Sequence, residues 1–241
     1  MKKSWIIAKR ELSVFFDSLI GYFIIVAFLG FTGFFTWLYG SNIFFVGQAS
    51  LDAFFNIGYW TLFFFIPAIT MRMLAEERRS GTIELLLTKP VSDWQIVTGK
   101  FLSTLILILI TLALTLPYYV TVWSLGPVDH GVVWSGYLGL LLMSAVYISV
   151  GLFASSLTRN QLVAFLLALL VGIFFHIIFE VLAQATSGQL SDVLGYLNLS
   201  AHYDDVSRGV VDTSDLVYFL TLTFLGLVLS EFGLAKRNIT G

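Results

Sequence analysis

Residues Gly99–Trp123 read GKFLSTLILILITLALTLPYYVTVW, a long apolar run whose only charge, Lys100, stands at its very start. Crossing the hydrocarbon layer takes about 20 helical residues at about 1.5 Å rise each, so a run of this length and polarity is long enough to span. Five more stretches meet the same test, at about 18–39, 54–74, 133–155, 162–183 and 215–235. No long segment alternates with a period of two, which argues against a transmembrane β-barrel. The reading is an all-α membrane protein of six transmembrane helices, a single transmembrane domain over residues 1–241 with no separate soluble domain. Composition agrees. The chain is 58% hydrophobic and 12% charged, where a soluble domain carries about 25% charged residues.

The gaps between the runs fix an orientation. Of 13 Lys and Arg residues, all but Arg208 fall in gaps on one side of the six spans. By the positive-inside rule that side is the cytoplasm, so both termini are cytoplasmic and the protein sits in an inner, cytoplasmic membrane as a multi-pass protein. The opposite gaps hold Asp52, Asp129, Asp192, Asp204, Asp205, Asp212 and Asp215. The first apolar run is too long for a signal-peptide core and lacks a small-residue cleavage site, so it reads as a retained membrane helix. There is no cysteine, which excludes disulfides and thiolate chemistry, and nothing points to nucleic acid.

Residues 2–17 precede the first span. At 100° per residue, Trp5, Ala8, Leu12, Phe15 and Phe16 share an arc with Lys9 at its edge, while Ile7 and Val14 form a second strip. The pattern predicts an amphipathic helix in the membrane interface, its second strip turned toward neighbouring spans. Pro67 is expected to kink the second span and Pro117 the third, each by removing an intrahelical hydrogen bond. Between those spans, the gap at about 75–98 runs from a charged cluster through Gly81 to Leu85-Leu86-Leu87 and Pro90. Ser92-Asp93-Trp94-Gln95 fits a capping box that starts the next helix. Three consecutive leucines either dock into a partner's groove or dip into the bilayer interface. The residues alone leave both open.

The stretch Glu77-Arg78-Arg79-Ser80-Gly81-Thr82-Ile83-Glu84-Leu85-Leu86-Leu87-Thr88-Lys89-Pro90-Val91-Ser92 resembles the signature of type-2 ABC transporter permeases, the membrane subunits of ATP-binding-cassette exporters. The resemblance covers the whole chain. It is nearest to the gliding-motility-associated permease subunit of Bacteroidota, on Ile66-Pro67-Ala68-Ile69-Thr70-Met71-Arg72, Trp94-Gln95-Ile96-Val97-x-Gly99-Lys100-Phe101, Ala201-His202-Tyr203 and Ser207-Arg208-Gly209-Val210-Val211-Asp212-Thr213. It implies an exporter architecture in which residues 1–17 form a connecting helix and 75–98 a coupling region. Contact with a cytoplasmic ABC ATPase dimer is then expected through Glu77, Arg78, Arg79, Gly81, Thr82, Glu84, Leu85, Leu86, Leu87, Lys89, Pro90 and Ser92. It further implies a second permease, identical or a related chain with a large external domain. No G-x-x-x-x-G-K-[ST] loop is present, since Lys100 is followed by Phe101 and position 94 is Trp. ATP and Mg are therefore expected on the partner, with no cofactor bound by this chain and no enzyme activity of its own. A competing expectation is an ATP-linked scaffold of a gliding or secretion machine that moves no solute. A passive channel is weaker, for want of a charged pore ring.

Charges inside spans cost about 2.5–3.5 kcal/mol on insertion scales, which makes them candidates for function. His176 and Glu180 stand four apart on the fifth span and are expected to share a face, either as a local ion pair near the membrane surface or along a pathway. The external segment 184–214 is expected to hold short helices or a hairpin dipping toward the bilayer. There His202, Arg208 and Asp212 join the pathway or external-gate candidates, and Asp204, Asp205 and Asp212 are candidates for a network around Arg208. His-x-x-x-Glu offers two ligands only, with His130 and His202 elsewhere in the chain, so no metal site is expected. Gly151 and Ser155 make a small-x-x-x-small step suited to close helix approach.

Overall fold

The computed structural model describes residues 2–39, 49–81 and 91–235. Among them every regular element is helical. They are α1 (Lys2–Asp17), α2 (Leu19–Trp37), α3 (Asp52–Thr70), α4 (Ala75–Ser80), α5 (Asp93–Ala113), α6 (Leu116–Leu125), α7 (His130–Leu157) and α8 (Gln161–Ile173). A π turn over Phe174–Ile178 follows, then α9 (Phe179–Ala185), α10 (Gln189–Tyr196), α11 (Leu199–Ser207) and α12 (Thr213–Ala235). Taken across their short breaks, six helical segments among the described residues are long and apolar enough to cross a membrane: Leu19–Trp37, Asp52–Ser80, Asp93–Leu125, His130–Leu157, Gln161–Ala185 and Thr213–Ala235. The six runs of the sequence lie on these six segments.

The central span is α7, which packs against α3, α5, α8, α11 and α12. Leu140, Met143, Ile148 and Leu152 on it are fully buried. Close approach here depends on missing side chains. A Cβ on Gly151 would stand 2.0 Å from Thr70 Oγ1, and one on Gly226 would stand 2.3 Å from Ser149 Oγ. The expected small-residue step at Gly151 and Ser155 is thus the seam between α7 and the end of α3.

The two prolines behave differently. Helix α3 runs through Pro67 to Thr70 and then breaks in a turn over residues 71–74. The break exposes backbone groups that one hydroxyl satisfies. Ser155 Oγ donates to Met71 O at 2.9 Å and accepts from the N–H groups of Leu74 and Ala75 at 3.1 and 3.0 Å, which uses every position a serine hydroxyl has. Pro117 does not kink a continuous helix as expected. Helix α5 ends at Ala113 and Pro117 lies in the first turn of α6, where a missing N–H costs nothing because that donor would be unpaired anyway.

The segment 184–214 folds as short helices, within the expected range. Leu199, Tyr203 and Val206 of α11 are buried in the same core as α7, and the Tyr203 hydroxyl donates to Phe55 O at 3.2 Å. Contacts divide the bundle into two ends. At the basic end meet α1, α4, the start of α5 and the ends of α7 and α12; at the far end α9 packs on α10 and α10 on α11, while α6 bonds α2 and the start of α7.

Candidate functional site

Helix α1 has three faces rather than two. Ser4, Ile7, Ala8 and Phe15 are buried and Glu11 is half-buried, at the spacing of one helical stripe. This stripe lies on α5. Ile7 packs against Ile96, and Thr98 Oγ1 donates to Ser4 Oγ at 3.1 Å. Trp5 stays 56% exposed on the arc shared with Leu12 and Phe16, which suits lipid contact, while Lys9 and Arg10 face outward. The expected second strip is half realised: Ile7 is buried and Val14 is exposed.

The stripe delivers Glu11 to Lys100. That lysine is 1% exposed, although it lies on the first turns of a span. Its Nζ donates to Glu77 Oε1 at 2.7 Å and stands 3.5 Å from Glu11 Oε1. Arg10 Nη2 lies 2.5 Å from the same Glu11 oxygen and 3.8 Å from the Glu77 oxygen. Two cations and two carboxylates from α1, α4 and α5 therefore form one alternating network. Burying a lone ammonium costs several kcal/mol, so Lys100 depends on both carboxylates. Burial pushes the Glu11 carboxyl up, but Lys100 and Arg10 together outweigh it and hold the group below its ordinary value. Among the candidate coupling residues, Glu77 is thus a fixed joint of this network.

Arg78 Nη2 donates to Gly233 O at 2.6 Å and ties α4 to the end of α12. Arg79 is exposed. Gly81 closes α4 in the left-handed region at φ 71°, a conformation glycine adopts without steric cost. Ser92 and Gln95 form the expected capping box, each side chain accepting from the other's backbone N–H at 3.3 Å. Thr82, Glu84, Leu85, Leu86, Leu87, Lys89 and Pro90 lie outside the described residues. The segment they belong to leaves from α4 and returns to α5, the two elements that Glu77 and Lys100 join.

The far-end candidates scatter. His176 is buried on the π turn, where its Nδ1 and the Tyr59 hydroxyl share a hydrogen bond and its ring meets Tyr59, Trp60 and Phe63. Glu180 points elsewhere and accepts from Gln184 Nε2 at 3.3 Å. The two do not act together: His176 is buried and Glu180 exposed, and no ion pair joins them among the described residues. His202 is buried: Nδ1 bonds Asp215 Oδ1 at 2.6 Å and Nε2 donates to Tyr196 O at 2.8 Å. The ring stacks on Tyr218 with centroids 4.0 Å apart, so it pins α11 to α10 and α12. No network forms around Arg208. It is exposed at the end of α11 without an ion pair among the described residues, and Asp212 Oδ1 instead accepts from Ser214 N–H at 3.3 Å. Asp204 is pushed up, by burial first, with Arg208 pulling the other way and Asp205 and Glu180 adding to the rise. Among the described residues no three His, Asp or Glu side chains converge as a metal site.

Sequence reasoning passed over Glu11, Arg10 and Asp215 as site residues, and used Lys100 for topology, for the family resemblance and to exclude a phosphate loop, but not as a site residue. A signal for the first was present. A lysine at the mouth of an apolar run needs an anion, and Glu11 is one of two acids in a strongly basic N-terminal helix.

The chain is similar to the protein named probable multidrug ABC transporter permease YbhR, in Escherichia coli strain K12 and in Escherichia coli O157:H7. Each is 27% identical over 154 residues, which cover 60% of this chain and 39% of the relative. The match thus spans well under half the length of these relatives. A profile described as ABC-2 family transporter protein matches residues 5–233. That range takes in nearly all of the N-terminal helix and of the six candidate spans, with the charged network between them, and the chain belongs to the ABC-2 transporter family.

Proposed function

We propose that the chain is the permease subunit of an ATP-driven exporter, coupling hydrolysis by a separate ABC ATPase dimer to translocation across a cytoplasmic membrane. Family membership supports the permease reading, and the network of Lys100 with Glu77 and Glu11 carries the coupling reading. A motor that pushes on the segment between α4 and α5 needs a stiff seat for it. Buried, charge-assisted bonds at both its ends supply one. Motion there would reach α3 through the Ser155 joint and α12 through the Arg78 bond to Gly233, shifting the spans between two packings. Two permeases, identical or related, would enclose the path.

The test is the intact complex with its ATPase. Replacing Glu84 with Lys should cut permease-stimulated ATPase activity severalfold while the complex still inserts and co-purifies. Unchanged activity rejects the coupling role. The motifs at Ala201-His202-Tyr203 and Ser207–Thr213 support a narrower reading, in which the exporter serves gliding motility with a second membrane protein that bears a large external domain. Uptake of candidate solutes into inverted vesicles separates transport from a scaffold that moves nothing.

A further inference from the structure

Beside the charged network lies a cleft of about 430 Å³ between α1 and the turn that follows α3. Arg72 and Glu76 both line it. They are four residues apart, the spacing at which opposite charges on a helix normally pair. Here the backbone between them still closes a turn, Glu76 N–H donating to Arg72 O at 3.2 Å, but the Arg72 side chain lies over Phe15 instead of reaching Glu76. Arg72 is half-buried, with its guanidinium 5.6 Å above the centre of the Phe15 ring. Among the described residues neither Arg72 nor Glu76 makes an ion pair. The other acids of the cleft, Glu11 and Glu77, are already held by Lys100 and Arg10. What remains is one cation and one anion, facing a common space and answering neither each other nor the network.

The depth of the cleft narrows its occupant. Arg72 lies two residues past the end of α3, toward the basic end of the Asp52–Ser80 segment, and α1, with Trp5 exposed, is read as lying at the membrane boundary on that side. Phe15 and the exposed Val14 give the cleft an apolar wall. This is the level of phospholipid headgroups, where a guanidinium fork matches phosphate oxygens.

We propose that this cleft binds the headgroup of a phosphoethanolamine phospholipid from the leaflet on the basic side, its phosphate on Arg72 and its primary ammonium on Glu76. A choline head has no N–H to give the carboxylate, and a glycerol head has no positive charge. Neither satisfies both residues. The site belongs to the chain without its ATPase and stands or falls independently of the coupling reading.

The full chain, purified in a nonionic detergent, would be mixed with phosphatidylethanolamine, phosphatidylcholine or phosphatidylglycerol of identical acyl chains, or with soluble O-phosphoethanolamine. Native mass spectrometry would read lipid retention, and thermal unfolding the stabilisation. The ethanolamine lipid should bind about tenfold tighter than the other two, the order expected from one charge-assisted hydrogen bond, and the soluble headgroup should not stabilise. Arg72→Gln should abolish retention of all three lipids at this site, Arg72→Lys should weaken it, and Glu76→Gln should erase only the preference for ethanolamine. Arg159→Gln, exposed at the same end of the bundle, should change nothing. Equal binding of the three lipids, preference for the glycerol lipid, equal binding of soluble phosphoethanolamine, or retention unchanged in both Arg72 variants would each overturn the proposal.

Discussion

Lys100 concentrates the energetics of the basic end in one ammonium. Losing Glu77 leaves it with Glu11 alone, at 3.5 Å. Glu77→Gln should therefore destabilise the chain by about 1.5–3 kcal/mol, the worth of a hydrogen bond to a charged group. That is less than the full cost of stranding a buried ion. Lys100→Met should cost less, because both carboxylates keep Arg10 and partial access to water. The double variant should cost less than the sum, with a coupling of about 0.5–3 kcal/mol, measured by thermal or chaotrope unfolding in detergent. Glu11 adds a pH signature. Its folded value lies below the ordinary 4.5, so its stabilisation is complete above that value and is lost as pH falls through the lower one. The unfolding midpoints of the wild type and Glu11→Gln should differ at neutral pH and converge in acid. A constant difference across that range would exclude Glu11 as the titrating group. At this scale the sequence was only partly legible. It shows a lysine in an apolar run, but its two carboxylate partners, Glu77 and Glu11, come from two separate earlier helices, and one-dimensional spacing carries no such pairing. His202 stood among the external-gate candidates of segment 184–214, whereas its bond to Asp215 depends on how α11 packs on α12.

Elements were easier to read than contacts. The N-terminal helix, the six long apolar helical segments and the Ser92 capping box follow from periodicity and local hydrogen-bond chemistry, which residues specify within a few positions of themselves. The interruption after α3 and the π turn do not, because each is settled by what packs alongside. Ser155 shows how: its hydroxyl replaces backbone partners that the broken helix cannot supply. Gly151 shows the steric side of the same seam. Gly151→Val should separate α7 from α3 and destabilise by about 1–3 kcal/mol, the usual cost of overpacking. Thr70→Ala should restore part of that loss by removing the hydroxyl that a Cβ would strike at 2.0 Å. Full stability of the single variant would mean that the seam yields more readily than its geometry implies.

For the whole molecule, the separation of charge between two ends is the governing property. All basic residues but Arg208 belong to one side of the sequence pattern, and the bundle gathers α1, α4 and the ends of α7 and α12 at one end. The natural absence of cysteine makes the orientation directly measurable. A cysteine at Thr158 should react with a membrane-impermeant maleimide only in inverted vesicles, and one at Ser187 only in intact cells. Labelling of both from the same side would reject the six-span topology. Global order was the most legible level, since hydropathy and charge are summed over many residues and survive local surprises.

The π turn at Phe174–Ile178 has a further bearing on how such a chain can change over time. An inserted residue swivels everything beyond it by about 100°, the angle between successive positions of a regular helix. Deleting one residue there would straighten the fifth span and rotate Phe179–Ala185 about its axis, presenting a different side chain to Tyr59 and re-aiming the cap that α10 and α11 build on it. A single codon therefore sets the angular register between the two halves of that span.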